Sequence, residues 1–191
     1  MGGKTYPWTE KDNILMRLDS DQINLVEPTI DLRTEFLDLL DDHLQAGEVF
    51  FNPDLPRKDF AAYIQKLAKM SAAIDLPPGF VPMTTYWMVR PDRTILGASM
   101  LRHHLTPSLE NHGGHIGYII RPSQRRQGYG GLILALTLEK AGALGIKRVR
   151  ITCDTDNIGS VRVIEKNGGV YSGQMIYERS GKQISQYWVE F

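Results

Sequence analysis

At 191 residues the chain is long enough for one domain with an ordinary core, and its 22 basic and 22 acidic side chains cancel to a formal net charge of zero. That balance disfavours a nucleic-acid partner or an anionic lipid surface, so any anionic ligand must be held by a local cluster. The single cysteine, Cys153, rules out an intramolecular disulfide, and no apolar run is long enough to span a membrane, which together read as a cytoplasmic protein with no membrane partner.

Residues 1–20 are polar and mixed, with no apolar signal core, and are read as an N-terminal extension; residues 21–191 are read as a single domain. A short strand is expected at 23–26. Thr29 then stands as a cap before a helix in which Leu32, Phe36, Leu39, Leu40 and Leu44 recur at helical spacing, stopped by Gly47. Residues 52–58, with Pro53 and Pro56, read as a loop. Residues 59–71 read as a second helix, and 77–82 as another loop. From 84 the pattern turns to strands: 84–89 and 95–105 form a hairpin, 106–114 is a polar loop, and 115–120 is a third strand. An apolar helix over 131–144 ends at Gly145. Val149, Ile151 and Cys153 alternate in a fourth strand, a short helix covers 160–166, and strands at 170–177 and 184–189 close the chain. This order predicts a mixed α/β fold with helices on both faces of one sheet.

The most informative segment joins the third strand to the apolar helix: Arg121-Pro122-Ser123-Gln124-Arg125-Arg126-Gln127-Gly128-Tyr129-Gly130-Gly131. Its glycines let the backbone turn tightly and approach a ligand closely. They fall where a helix begins, so unpaired N–H groups lie beside the positive end of the helix dipole, a setting suited to phosphate. Arg125 and Arg126 add charged donors. A nucleotide P-loop would need Gly-Lys-Ser/Thr at this point, and a dinucleotide fingerprint a small residue where Ile133 stands; neither fits.

Arg125-x-x-Gly128-x-Gly130 resembles the Arg/Gln-x-x-Gly-x-Gly/Ala loop of the GNAT superfamily of acyl-CoA-dependent N-acyltransferases. The later run from Asn157 through Ser160 to Lys166-Asn167-Gly168 resembles that family's next conserved helix. The resemblance implies a mostly antiparallel sheet splayed between two central strands, with helices on both faces. It implies acetyl-CoA as the acyl donor, with no metal. Backbone groups of Tyr118, Ile119 and Ile120 would pair with the pantetheine arm. Arg125, Arg126, Gln127, Gly128, Tyr129, Gly130 and Gly131 would hold the pyrophosphate, and Asn157 and Ser160 would meet the pantetheine side.

An acceptor amine with a pKa near roughly 10 must lose a proton before it attacks, and the thiolate leaving group needs little help. By the resemblance, the family's base would fall near Gly114 or Ile116 and its tyrosine acid at Ile164, none of which can transfer a proton. Tyr118 and His115 are the leading catalytic candidates in their place, with His103 and His104 nearby. His115, on the opposite strand face from Tyr118, would need a bulge to serve. Cys153 reads as a buried strand residue rather than a nucleophile, Lys147, Arg148 and Arg150 as a solvated strand edge, and Tyr86, Trp87, Tyr187 and Trp188 as packing. The reading that follows is an N-acetyltransferase acting on a small-molecule or peptide amine by direct attack. A non-catalytic acyl-CoA sensor is the alternative, and the oligomeric state, monomer or homodimer, stays open.

Overall fold

The computed structural model describes residues 22–49, 52–178 and 180–190, so the expected extension at 1–20 lies outside the described residues. Strands β1 (Asn24–Val26), β2 (Met83–Val89), β3 (Ile95–Arg102) and β4 (Ile116–Ile120) form one antiparallel sheet in that order. Strands β5 (Arg148–Asp154), β6 (Val170–Tyr177) and β7 (Lys182–Glu190) form a second, with β7 central. Helix α1 (Arg33–Gln45) and the short α2 (Asp54–Lys58) precede α3 (Phe60–Ser71). A short α4 (Pro107–Asn111) lies between β3 and β4, α5 (Tyr129–Ala143) between β4 and β5, and α6 (Ile158–Lys166) between β5 and β6.

Strand β3 feeds two cores, with a bulge opposite Met88 and Val89 that sends Leu96 and Ala98 to opposite faces. Ala98 faces α1 and α3, joining Phe36, Phe60 and Trp87, and the Phe36 ring stacks 4.6 Å from the fully buried Trp87. Leu96 and Leu101 face the other way, toward Ile133, Leu134 and Leu138 of α5. That second core continues under the other sheet through Val149, Ile151, Tyr187 and Val189. Helices therefore cover both faces of the first sheet, as expected. The expected splay between two central strands falls between β4 and β5, and it is complete enough that the one sheet divides into two: β4 bonds only β3, and β5 bonds only β7.

A pair of backbone-directed hydrogen bonds clasps the sheets together just before β4. The His115 N–H donates to the Arg150 carbonyl at 2.7 Å, and the Arg150 N–H donates to His115 Nδ1 at 2.9 Å. Gly114 makes this approach possible: its φ is +61°, and a Cβ there would lie 2.5 Å from the Arg150 carbonyl oxygen. Past that clasp, the facing edges of β4 and β5 share no strand pairing.

Several boundaries differ from the sequence reading. The loop expected at 52–58 contains α2, and the one expected at 106–114 contains α4, capped by the Thr106 side chain with Pro107 in its first turn. Strand β3 ends at Arg102, not 105, and β7 begins at Lys182, not 184. Helix α5 begins at Tyr129, not 131, and α6 at Ile158, not 160. No helix among the described residues is long and apolar enough to cross a membrane.

Candidate active site

The free edge of β4 leads directly into the glycine loop. After a 3-10 turn at Pro122–Gln124, the backbone N–H groups of Arg126, Gln127, Gly128, Tyr129 and Gly130 have no acceptor among the described residues. Two of these residues take left-handed backbone angles, Arg126 at φ +64° and Gly128 at φ +87°, which curls the run into a concave row of donors. Gly128 is also the cap of α5, and its cap position has no side-chain hydrogen bond. Five free donors at the positive end of a 15-residue helix make an anion seat.

Two acidic side chains from the far side of the fold hold this loop in shape. Asp42 accepts from Arg121 Nε at 2.7 Å and from the Ser123 N–H at 3.1 Å, and the Ser123 hydroxyl donates to it as well. Burial acts to raise the Asp42 carboxyl, but the Ser123 and Arg121 hydrogen bonds outweigh it and hold the group below the usual range. Glu48 grips the Arg125 fork, with Arg125 Nη1 donating to Oε1 at 2.7 Å, and this contact is the main reason its carboxyl is lowered. Arg125 Nε in turn donates to the Ile120 carbonyl at 3.1 Å, tying the loop to the end of β4. The Arg125 side chain expected at the pyrophosphate is paired with Glu48, and Arg125, Arg126 and Gln127 are all exposed. Neither Asp42 nor Glu48 was predicted from sequence.

Opposite the loop, Asn157 caps α6, its side-chain oxygen accepting the Ser160 N–H at 3.0 Å. Tyr118 points from β4 into the space near Ser160 and Cys153, and its hydroxyl is buried with no partner of good hydrogen-bond geometry. Burial pushes the Tyr118 phenol up to about 12, with the nearby Ser160 hydroxyl opposing the rise. The phenol therefore keeps its proton across the working range and cannot serve as a phenolate base. Burial and the charges of Asp154 and Glu165 push the Cys153 thiol up to about 11, opposite to what a nucleophile needs. Ile164, where the resemblance puts a tyrosine acid, is fully buried in the core.

His115 has a structural job. The Nδ1 lone pair that a base would use is occupied by the Arg150 N–H. Burial first, then the charge of Arg102, push the ring down from an ordinary 6.5 to about 4. The unfolded chain accepts a proton near 6.5 that the folded chain refuses until about 4, so this contribution to stability is complete above 6.5 and is lost as pH falls toward 4. Urea midpoints should drop over that window, and His115→Gln, which keeps a side-chain acceptor, should flatten part of the drop. An unchanged slope in the variant would show a solvated, free ring. Arg150, expected at a solvated edge, is instead buried: it donates to the Glu110 carbonyl and to Ser172, and lies over the Trp188 ring at 4.7 Å.

A family model matches this fold of two splayed sheets with an anion seat where their gap meets a helix N-terminus. Residues 23–170 match the acetyltransferase (GNAT) domain, so the chain belongs to the GNAT acetyltransferase family and is an acyltransferase. Among solved structures it is similar to RimL, a ribosomal L7/L12 alpha-N-protein acetyltransferase in complex with coenzyme A, at 17% identity and a TM-score of 0.64, covering 89% of this chain and 94% of that one. It is also similar to the microcin C7 self-immunity acetyltransferase MccE in complex with acetyl-CoA and AMP, at 15% identity and a TM-score of 0.66, covering 90% and 93%. A spermidine N-acetyltransferase chimera of SpeG from Vibrio cholerae and hSSAT matches at 14% identity with a TM-score of 0.59, covering 88% and 95%. No curated protein sequence matches the chain.

Proposed function

We propose that this protein is an acetyl-CoA-dependent N-acetyltransferase in which a primary amine attacks the thioester directly in a ternary complex. The observation that carries the reading is the continuity of two unpaired features. The free edge of β4 offers backbone partners to an extended amide-bearing arm, and it runs straight into the five free N–H groups that suit a pyrophosphate. Tyr118, Ile119 and Ile120 would pair with the arm, residues Arg126 to Gly130 would hold the phosphates through their backbone, and Asn157 and Ser160 would line the opposite wall. Arg125 acts from behind by fixing the loop through Glu48. The neighbours bound to coenzyme A or acetyl-CoA support this donor, and those acting on protein or polyamine substrates support an amine acceptor.

Direct attack follows from what the site offers. An acyl-enzyme would need an ionised nucleophile, and Cys153 is pushed away from ionisation. With the His115 lone pair engaged, the amine loses its proton to solvent, and the departing thiolate takes one from the Tyr118 phenol. A sensor that binds acyl-CoA without turnover remains the second reading, favoured by the same engagement of His115.

Coenzyme A at about 100 times its dissociation constant should stabilise the fold by about 2.7 kcal/mol, seen as a raised melting temperature. Thiol release from acetyl-CoA on adding amines then separates enzyme from sensor. Millimolar coenzyme A that neither shifts the melt nor gives heat in calorimetry would sink both readings.

A further inference from the structure

Arg102, the last residue of β3, is a half-buried cation with no ion pair among the described residues. Among the described residues its side chain's only hydrogen bonds run from Nη1 to the carbonyls of Gly113 at 3.2 Å and Gly114 at 2.9 Å. No carboxylate of the described residues lies within ion-pair distance of it, and Nε and Nη2 carry no hydrogen bond. Burial lowers the guanidinium. The guanidinium is only partly desolvated, and its unbonded Nε and Nη2 are not among the buried atoms without a partner, so that edge is open to a ligand. The surroundings do not supply the counter-charge. His112 and His115 both feel Arg102 as a repulsive neighbour, and His103 follows it in the chain. The nearby Asp154 carboxylate is bound to Lys182.

Its position gives the vacancy a meaning. Ala98 faces α1 and α3, so Met100 and Arg102 stand on that same face, opposite α5 and the phosphate seat. The Arg102 N–H donates to the His115 carbonyl, beside the clasp that ends the gap between β4 and β5. A donor entering from the α5 side leaves the α1 and α3 side for the acceptor. We infer that Arg102 recognises an anionic group on the acceptor, so that the preferred amine carries a carboxylate or phosphate close to its reacting nitrogen. The guanidinium fork presents the unused Nε and Nη2 edge, which suits a pair of anionic oxygens. This rests on the acetyltransferase reading for the identity of the gap, and it disfavours purely cationic amines, which Arg102 would repel.

Matched amines test it. Binding to the coenzyme A-loaded protein is measured by calorimetry, and kcat/KM by thiol release, for β-alanine against β-alaninamide and for phosphoethanolamine against ethanolamine. The anionic member of at least one pair should be favoured by about tenfold or more, and which pair responds separates carboxylate from phosphate. In Arg102→Gln, whose amide can still donate to Gly113 or Gly114, that preference should vanish while coenzyme A affinity stays unchanged. Arg102→Lys, which keeps the charge but not the fork, should retain part of it. Equal binding of both members of each pair to the native protein, no binding by any of the four, or a preference that survives in Arg102→Gln would overturn the inference. Preferential binding without thiol release from any amine would leave the anion subsite standing and remove the enzyme reading instead.

Discussion

Gly130→Asp should raise the coenzyme A dissociation constant by roughly 10²–10³, the loss of about 3–4 kcal/mol, while the protein stays folded. The stability half of this expectation comes from the surroundings of Gly130. A Cβ there would lie 3.3 Å from a Val163 methyl group, a contact relieved by a shift of a few tenths of an ångström. The residue sits in the first turn of α5, where a carboxylate is favoured by the helix dipole, so the ligand-free variant should melt no lower than the native protein, or slightly higher. The binding half follows from the same charge. The new carboxylate would take the free N–H groups for itself and oppose a pyrophosphate in the same place. Calorimetry with coenzyme A and a thermal melt together decide it. Native affinity in a folded variant would place the phosphates away from the α5 N-terminus.

What the sequence made legible about this site is what is local. Three glycines around Tyr129 mark one helix start to within two residues, and the start of α6 was placed two residues late, at Ser160, its Asn157 cap unread. Helix α4 was missed although Thr106-Pro107 is a helix-start signal, because five residues are too few for a periodic pattern. The staples were invisible for a different reason. Ser123 and Asp42 are 81 positions apart, and Arg125 and Glu48 are 77 apart, so no local pattern pairs them. Arg125 illustrates the consequence: its spacing to Gly128 marks a loop that opens a helix, yet its guanidinium, expected at a pyrophosphate, meets the Glu48 carboxylate. His115 was similarly ambiguous, since its ring is defined by a backbone N–H on a strand 35 residues later. The division into two sheets is a matter of hydrogen bonds that do not form, and hydrophobic alternation in β4 and β5 reads the same either way.

Tyr118→Phe should lower kcat by about 10²-fold, the lower end of what a positioned proton donor contributes, with coenzyme A affinity unchanged. The native hydroxyl is buried without a well-formed hydrogen bond, a situation that ordinarily costs about 1–3 kcal/mol. Removing the oxygen while keeping the ring should therefore leave the melting temperature equal or raise it. A gain in stability with a loss in turnover is the signature of a group kept for chemistry rather than for packing. The pH profile separates the two proton-transfer roles. With its phenol at about 12, Tyr118 is protonated at every ordinary assay pH, so it cannot be the base for the amine, and the proposed role left to it is at the leaving thiolate. Activity should rise with pH as the acceptor, with a pKa near roughly 10, loses its proton, and the variant should show the same rising limb at a lower level. A shifted or flattened limb would make Tyr118 part of the amine's deprotonation instead. Native turnover in the variant would remove Tyr118 from the chemistry, leaving solvent to protonate the thiolate, whose own pKa of about 8.5 makes that feasible.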